Sequence, residues 1–174
     1  MSIARCVLLA VASLLAASGL AKQPPTPKFG EVLAPEALQS ITVWPDGQGL
    51  PIGQGSVSEG IAVYQTHCQA CHGMAGQGGI NDALVGGQTE LNIAPSLRTI
   101  GSYWPYATTI YDYVRRSMPY NAPGSLSADQ TYAVVAYLLY LNGVIAEDAS
   151  LDAEHLAKLK LANHPRFYSD YPLP

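Results

Sequence analysis

Cysteine is scarce in this chain: there are three in 174 residues, and Cys6 lies in an apolar leader. That leaves Cys68 and Cys71, too few for the disulfide frameworks that staple small exported domains. Positive charge is scarce too. Nine Lys and Arg face thirteen Asp and Glu, for a formal net charge of −4, and no basic cluster exceeds Arg115-Arg116. Nucleic-acid binding needs a basic patch or stripe, so that partner class is excluded. A long hydrophobic run is also missing. Val7 to Ala17 is apolar except for Ser13, but a spanning helix needs about 20 such residues.

The leader has the parts of a secretory signal: Arg5, the run Val7–Ala17, then Gly19-Leu20-Ala21, which resembles an A-x-A cleavage site. Residues 1–21 are therefore expected to be a signal peptide cleaved near Ala21, which places the mature chain in the periplasm. An uncleaved anchor is the alternative, and the shortness of the run disfavours it. The mature chain has 174 − 21 = 153 residues and, without Arg5, a charge of −4 − 1 = −5. That is one domain's worth of chain. Residues 22–55 are expected to form an irregular extension, since Pro24, Pro25, Pro27, Pro35, Pro45 and Pro51 interrupt any periodic run.

From Ser56 the pattern becomes helical. Gly60, Val63, Tyr64 and His67 share one face, and Ser58 is the expected N-cap. A glycine-rich loop, 73–87, follows. A second helix is expected over Pro105–Ser117, with Ala107, Tyr111, Val114 and Met118 in one stripe; Pro119 pushes Met118 out of helical geometry. The strongest helix signal is Ala128–Asn142, with Ser127 and Gln130 as a capping box and Asn142-Gly143 as a stop. A tail, 144–174, includes a short helical stretch at Asp152–Ala162. The pattern gives an all-α domain at 56–143 with long irregular arms on both sides.

Cys68-Gln69-Ala70-Cys71-His72 carries the chemistry. A Cys-x-x-Cys-His run reads as covalent attachment of one haem c, with two thioethers from Cys68 and Cys71 and His72 as the iron's proximal ligand. Zinc and thiol–disulfide exchange are the alternatives. Zinc needs more ligands than the remaining His67, His155 and His164 offer by spacing, and a redox dithiol expects a βαβ setting. The second axial ligand is assigned to Met118, since Met1 leaves with the leader and Met74 is too close to His72 to reach the opposite haem face. His155 and His164 are lesser candidates, and ordinary core packing is the bland reading of Met118. The Pro95 carbonyl is the expected acceptor for the ring N–H of His72. Arg98, Tyr103 and Trp104 are candidates to surround the haem and its propionates; surface or core placement is the plain alternative for each.

Together these residues resemble the class I c-type cytochromes. The motif at 68–72, Ala94-Pro95-Ser96-Leu97, Met118-Pro119 and the capped last helix fall in that family's order. Gly101 to Thr109, Tyr113 to Tyr120, Tyr132 to Asn142 and the Trp44-Pro45-Asp46-Gly47 stretch are similar to the cytochrome subunits of bacterial sulfite and sulfane dehydrogenases, which contain molybdenum. The resemblance implies three to five helices around one haem. Some of those relatives carry two haems, whereas this chain has one haem motif, so a mono-haem carrier is expected; the resemblance implies that it is not catalytic alone, takes single electrons from such a dehydrogenase and passes them to a cytochrome or terminal oxidase. Alternatives are a general respiratory carrier without a sulfur partner, and a haem enzyme or gas sensor with an open distal site.

Overall fold

In the computed structural model, which describes residues 42–87 and 98–167, strand β1 (Gln54–Ser56) leads into helices α1 (Val57–His67) and α2 (Gln69–His72). Helices α3 (Ala107–Ser117) and α4 (Ala128–Leu141) follow, then strand β2 (Ser150–Asp152), helix α5 (Ala153–Lys158) and a 3₁₀ turn at His164–Arg166. The described residues all fall in one compact unit, Ala34–Pro174. The expected signal peptide lies outside them.

The chain enters α1 through a capping box. The Glu59 N–H donates to Ser56 Oγ at 3.2 Å and the Ser56 N–H donates to Glu59 Oε2 at 2.8 Å. The N-cap is thus Ser56, two residues before the expected Ser58, because only Ser56 has an acidic residue three positions on. Val57, Gly60 and Tyr64 form the buried face, while His67 of the expected stripe is exposed. Helix α3 starts at Ala107, later than expected. Tyr106 is held extended by a bridge to Lys160, so the helix cannot begin before it. Its stripe Ala107, Tyr111 and Val114 is buried, and Met118 leaves the helix at φ −123°, ψ 149°. Helix α4 has the expected Ser127–Gln130 box. Its far end is a Schellman motif: the Gly143 N–H reaches Tyr140 O at 2.8 Å and the Val144 N–H reaches Leu139 O at 2.9 Å, with Gly143 at φ +69°.

The core forms where α1 and α3 pack on α4. Tyr64, Tyr111, Tyr132, Val134, Val135 and Leu139 are fully buried, each large apolar side chain contributing about 1.5–3 kcal/mol. Helix α1 packs so closely on α4 that only glycine fits at position 60, since a Cβ there would lie 2.7 Å from Tyr137 Cβ. The Tyr64 and Tyr137 rings meet edge to face at 5.3 Å.

The segments flanking the helices join this core. Gln54–Ser56 pairs antiparallel with Ser150–Asp152, a small sheet that the all-α expectation omitted. The Val43 N–H donates to Asp112 Oδ1 at 3.2 Å, Thr108 Oγ1 to Pro45 O at 3.1 Å, and Tyr132 OH to Pro51 O at 2.9 Å. On the other side Leu151, Leu156 and Leu161 are buried. Where a helix over Asp152–Ala162 was expected, the chain makes a strand and then a six-residue helix capped by Asp152. The bridge at Lys160 ends that helix early. Among the described residues no helix is long and apolar enough to cross a membrane.

Candidate functional site

Helix α1 ends at Cys68, whose N–H still donates to Tyr64 O at 2.8 Å. One further turn follows: the Cys71 N–H and His72 N–H both donate to Cys68 O, at 3.1 and 3.0 Å. The spacing of three and four residues sets Cys71 and His72 beside Cys68 on one side of the turn. Both thiols are half-buried and free. Burial, and next the neighbouring Cys71, push the Cys68 thiol up to about 11. A redox dithiol works with a lowered thiol pKa, so this environment opposes the exchange reading. For zinc, no group of three or more His, Cys, Asp or Glu gathers among the described residues.

His72 is oriented by a backbone group. Its Nδ1 lies 2.8 Å from Asp82 O. A carbonyl only accepts, so Nδ1 carries a proton, and in the neutral ring this leaves the lone pair on Nε2. That is the tautomer a ligating imidazole requires, held in the way such ligands usually are. The acceptor expected from sequence, Pro95, lies outside the described residues.

The loop after His72 is knit back onto the motif. The Gly78 N–H donates to His72 O at 2.9 Å, the Asn81 N–H to Cys71 O at 3.0 Å, and the Leu84 N–H to Gly76 O at 2.8 Å. From α1, Tyr64 OH donates to Gly73 O at 2.8 Å. Burial pushes the Tyr64 phenol up to about 12, which keeps it a neutral donor.

The candidate distal ligands differ sharply in placement. Met118 is half-buried against the same core that Cys68, Leu84 and Trp104 touch. Met74 is 74% exposed. His155 bonds through Nδ1 to Asp152 Oδ1 at 2.8 Å, and His164 stands edge-on to the Tyr106 ring at 5.0 Å. Arg98, Tyr103 and Trp104 come together: the Arg98 guanidinium lies 5.3 Å from the Tyr103 ring centroid, and the Tyr103 and Trp104 rings meet at 6.1 Å. Tyr113 and Phe167 extend this cluster. Two half-buried thiols on one turn, an imidazole with a free Nε2 and a thioether on the shared core fit a covalently held haem c. The chemistry that group supplies is a one-electron iron couple, which makes this a site of electron transfer.

The comparisons agree. Residues 55–138 match the family described as cytochrome C oxidase, cbb3-type, subunit III. The chain is similar to the crystal structure of the sulfane dehydrogenase SoxCD from Paracoccus pantotrophus, at 42% identity and a TM-score of 0.74, covering 81% of this chain and 71% of that one. No curated protein matches. The chain belongs to the cytochrome c family, as the sequence resemblance implied, and as a member is an electron carrier with covalent haem c.

Sequence reading missed two contributors, the Asp82 carbonyl and the Tyr64 hydroxyl. The Asp82 carbonyl is backbone and leaves no side-chain signal. For Tyr64 the signal was a polar group on an otherwise buried face.

Proposed function

We propose that this chain is a periplasmic mono-haem cytochrome c that accepts single electrons from a molybdenum-containing sulfite or sulfane dehydrogenase and passes them to a cytochrome or terminal oxidase. Cys68 and Cys71 would hold the haem covalently, and His72 and Met118 would ligate its iron. Residues 1–21 export the chain. The observation that carries the sulfur assignment is the 42% identity to a sulfane dehydrogenase over 81% of this chain.

The residues act by holding the ligands still. The Asp82 carbonyl fixes the His72 ring, and α3 ends so that Met118 is presented from an extended residue, which pre-places both side chains to hold an iron that would supply a one-electron couple. Met/His ligation raises the potential of such a centre. Around the motif, Met74 and Ile80 are 74% and 82% exposed. This apolar rim beside Cys71 is the docking surface for a redox partner, of the small kind usual for brief encounters. The match to an oxidase subunit family favours a second reading, a general respiratory carrier without a sulfur partner.

The test is isolation of the exported protein from its native periplasm. The reading expects a mature mass that includes one haem, little carbon monoxide binding in the reduced state, rapid binding in Met118→Ala, and reduction of the haem by sulfite or a sulfane in the presence of the co-purifying dehydrogenase. Absence of the haem mass refutes the site. Haem without sulfur-dependent reduction refutes the partner and leaves the respiratory reading.

A further inference from the structure

Asn142 sits at the end of α4, where the Schellman bonds of Gly143 and Val144 already close the helix. Termination therefore does not explain its side chain. That side chain is 5% exposed and donates from Nδ2 to two carbonyls, Leu138 O at 2.9 Å and Leu84 O at 3.2 Å. The first lies within its own helix. The second spans 58 residues of sequence to the loop that carries Asp82.

The position of that loop decides where the Asp82 carbonyl points. Asp82 lies between two fixed neighbours. Asn81 is tied to the motif by its N–H bond to Cys71 O, at 3.0 Å. Leu84 is tied by its own N–H to Gly76 O, and its carbonyl also receives the Ile100 N–H at 3.1 Å. Of the groups that reach Leu84 O, Asn142 Nδ2 is the one supplied by a long core helix. Three consecutive links thus join the most buried helix to the imidazole: Asn142 to Leu84, Leu84 to Asp82 through the chain, and Asp82 O to His72 Nδ1.

We infer that Asn142 is a positioning residue for His72: through Leu84 it holds the Asp82 carbonyl in place as the acceptor for the His72 Nδ1–H. The inference rests on the reading of His72 as the iron's ligand. A ring N–H held by a carbonyl makes the imidazole a more basic ligand, which favours the oxidised metal. Removing the Asn142 amide loosens the acceptor and weakens that donation.

The experiment uses the holoprotein with Asn142→Leu, which matches the size and removes both donors, and Asn142→Ala, which removes the amide without adding bulk or charge. Asn142→Gln keeps an amide one methylene further out. In a Met118→Ala background the reduced haem has an open distal side, and its iron–histidine stretch reports the Nδ1–H bond. Asn142→Leu and Asn142→Ala should lower that frequency, raise the midpoint potential in the Met118-containing protein, and speed exchange of the His72 ring N–H about tenfold, the weight of one good hydrogen bond. Asn142→Gln should shift all three in the same direction by less. If Asn142→Leu does not fold, the comparison of Asn142→Ala and Asn142→Gln decides. Haem-loaded, folded variants with unchanged stretch, potential and ring exchange overturn the inference. Loss of stability alone, with these readouts unmoved, assigns Asn142 a purely structural role and overturns it equally. Failure of the wild-type chain to carry haem strikes at the proposed function instead.

Discussion

Gly60→Ala should destabilise the protein even though alanine is the better helix former. In an exposed helix interior this change gains about 1 kcal/mol. Here the new Cβ would sit 2.7 Å from both Ala133 C and Tyr137 Cβ, and closer still to Ala133 O. Most of that obstacle is backbone of α4, buried at both ends of the contact, so no rotamer change relieves it. The helices must part instead, by enough to bring these separations up to van der Waals contact. Overpacking of this kind costs about 1–3 kcal/mol, and a collision with main chain belongs at or above the top of that range. The expected net loss is therefore about 2 kcal/mol or more, or a fall of about 4–8 °C in Tm for a chain this size. Chemical denaturation followed by far-UV circular dichroism and by haem absorbance measures it. Gly143→Ala is the control: a Cβ there meets nothing within 4 Å, so only the φ of +69° is strained. That costs about 1–2 kcal/mol with no displacement of α1. Gly60→Ala found equal to or more stable than the parent would refute the packing argument, and Gly60→Ala with normal haem chemistry but lower stability would support it.

Other expectations follow from single contacts. Asp112→Ala removes the acceptor of the Val43 N–H and the partner of Arg116. Because Arg116 is half exposed and can rehydrate, the loss is about 2 kcal/mol, mostly from the orphaned N–H; hydrogen exchange should show residues 42–50 opening before the helices. Tyr64→Phe leaves Gly73 O without its hydroxyl donor and should cost about 1 kcal/mol at neutral pH. Burial holds Tyr64 and Tyr111 protonated up to about 12, against about 10 in the unfolded chain. Their contribution is thus complete below pH 10 and is lost as pH rises through 12. A denaturation series across that window should fall more gently in Tyr64→Phe; identical slopes would contradict the assignment. Ser127→Ala breaks the cap of α4 and should cost about 1 kcal/mol by urea titration.

The haem motif and the helices were legible because their signals are local. Cys68, Cys71 and His72 are contiguous, Ser127 and Gln130 cap by spacing alone, and Pro119 fixes the end of α3 whatever lies around it. The misjudged features depend on partners distant in sequence. The cap of α1 is the exception: Ser56 takes the place of Ser58 through Glu59, only three positions on. Lys160, acting on Tyr106, delayed α3 and cut α5 short. The orientation of His72 depends on a carbonyl ten residues on, and carbonyls look alike in every sequence. The segment 42–53 appeared featureless because proline and glycine give no period, yet it is held by Asp112, Thr108 and Tyr132, side chains whose partners only the fold reveals.

The pairing of β1 with β2 has a wider consequence. Gln54 and Asp152 are opposed in the ladder, and opposed residues in such a ladder have Cα atoms about 5 Å apart. The polypeptide therefore enters and leaves the haem-bearing portion through a single doorway. Beyond that doorway Val43 on one side and Leu156 and Leu161 on the other are buried in the same core, so moving the helical portion into another protein means carrying both arms with it.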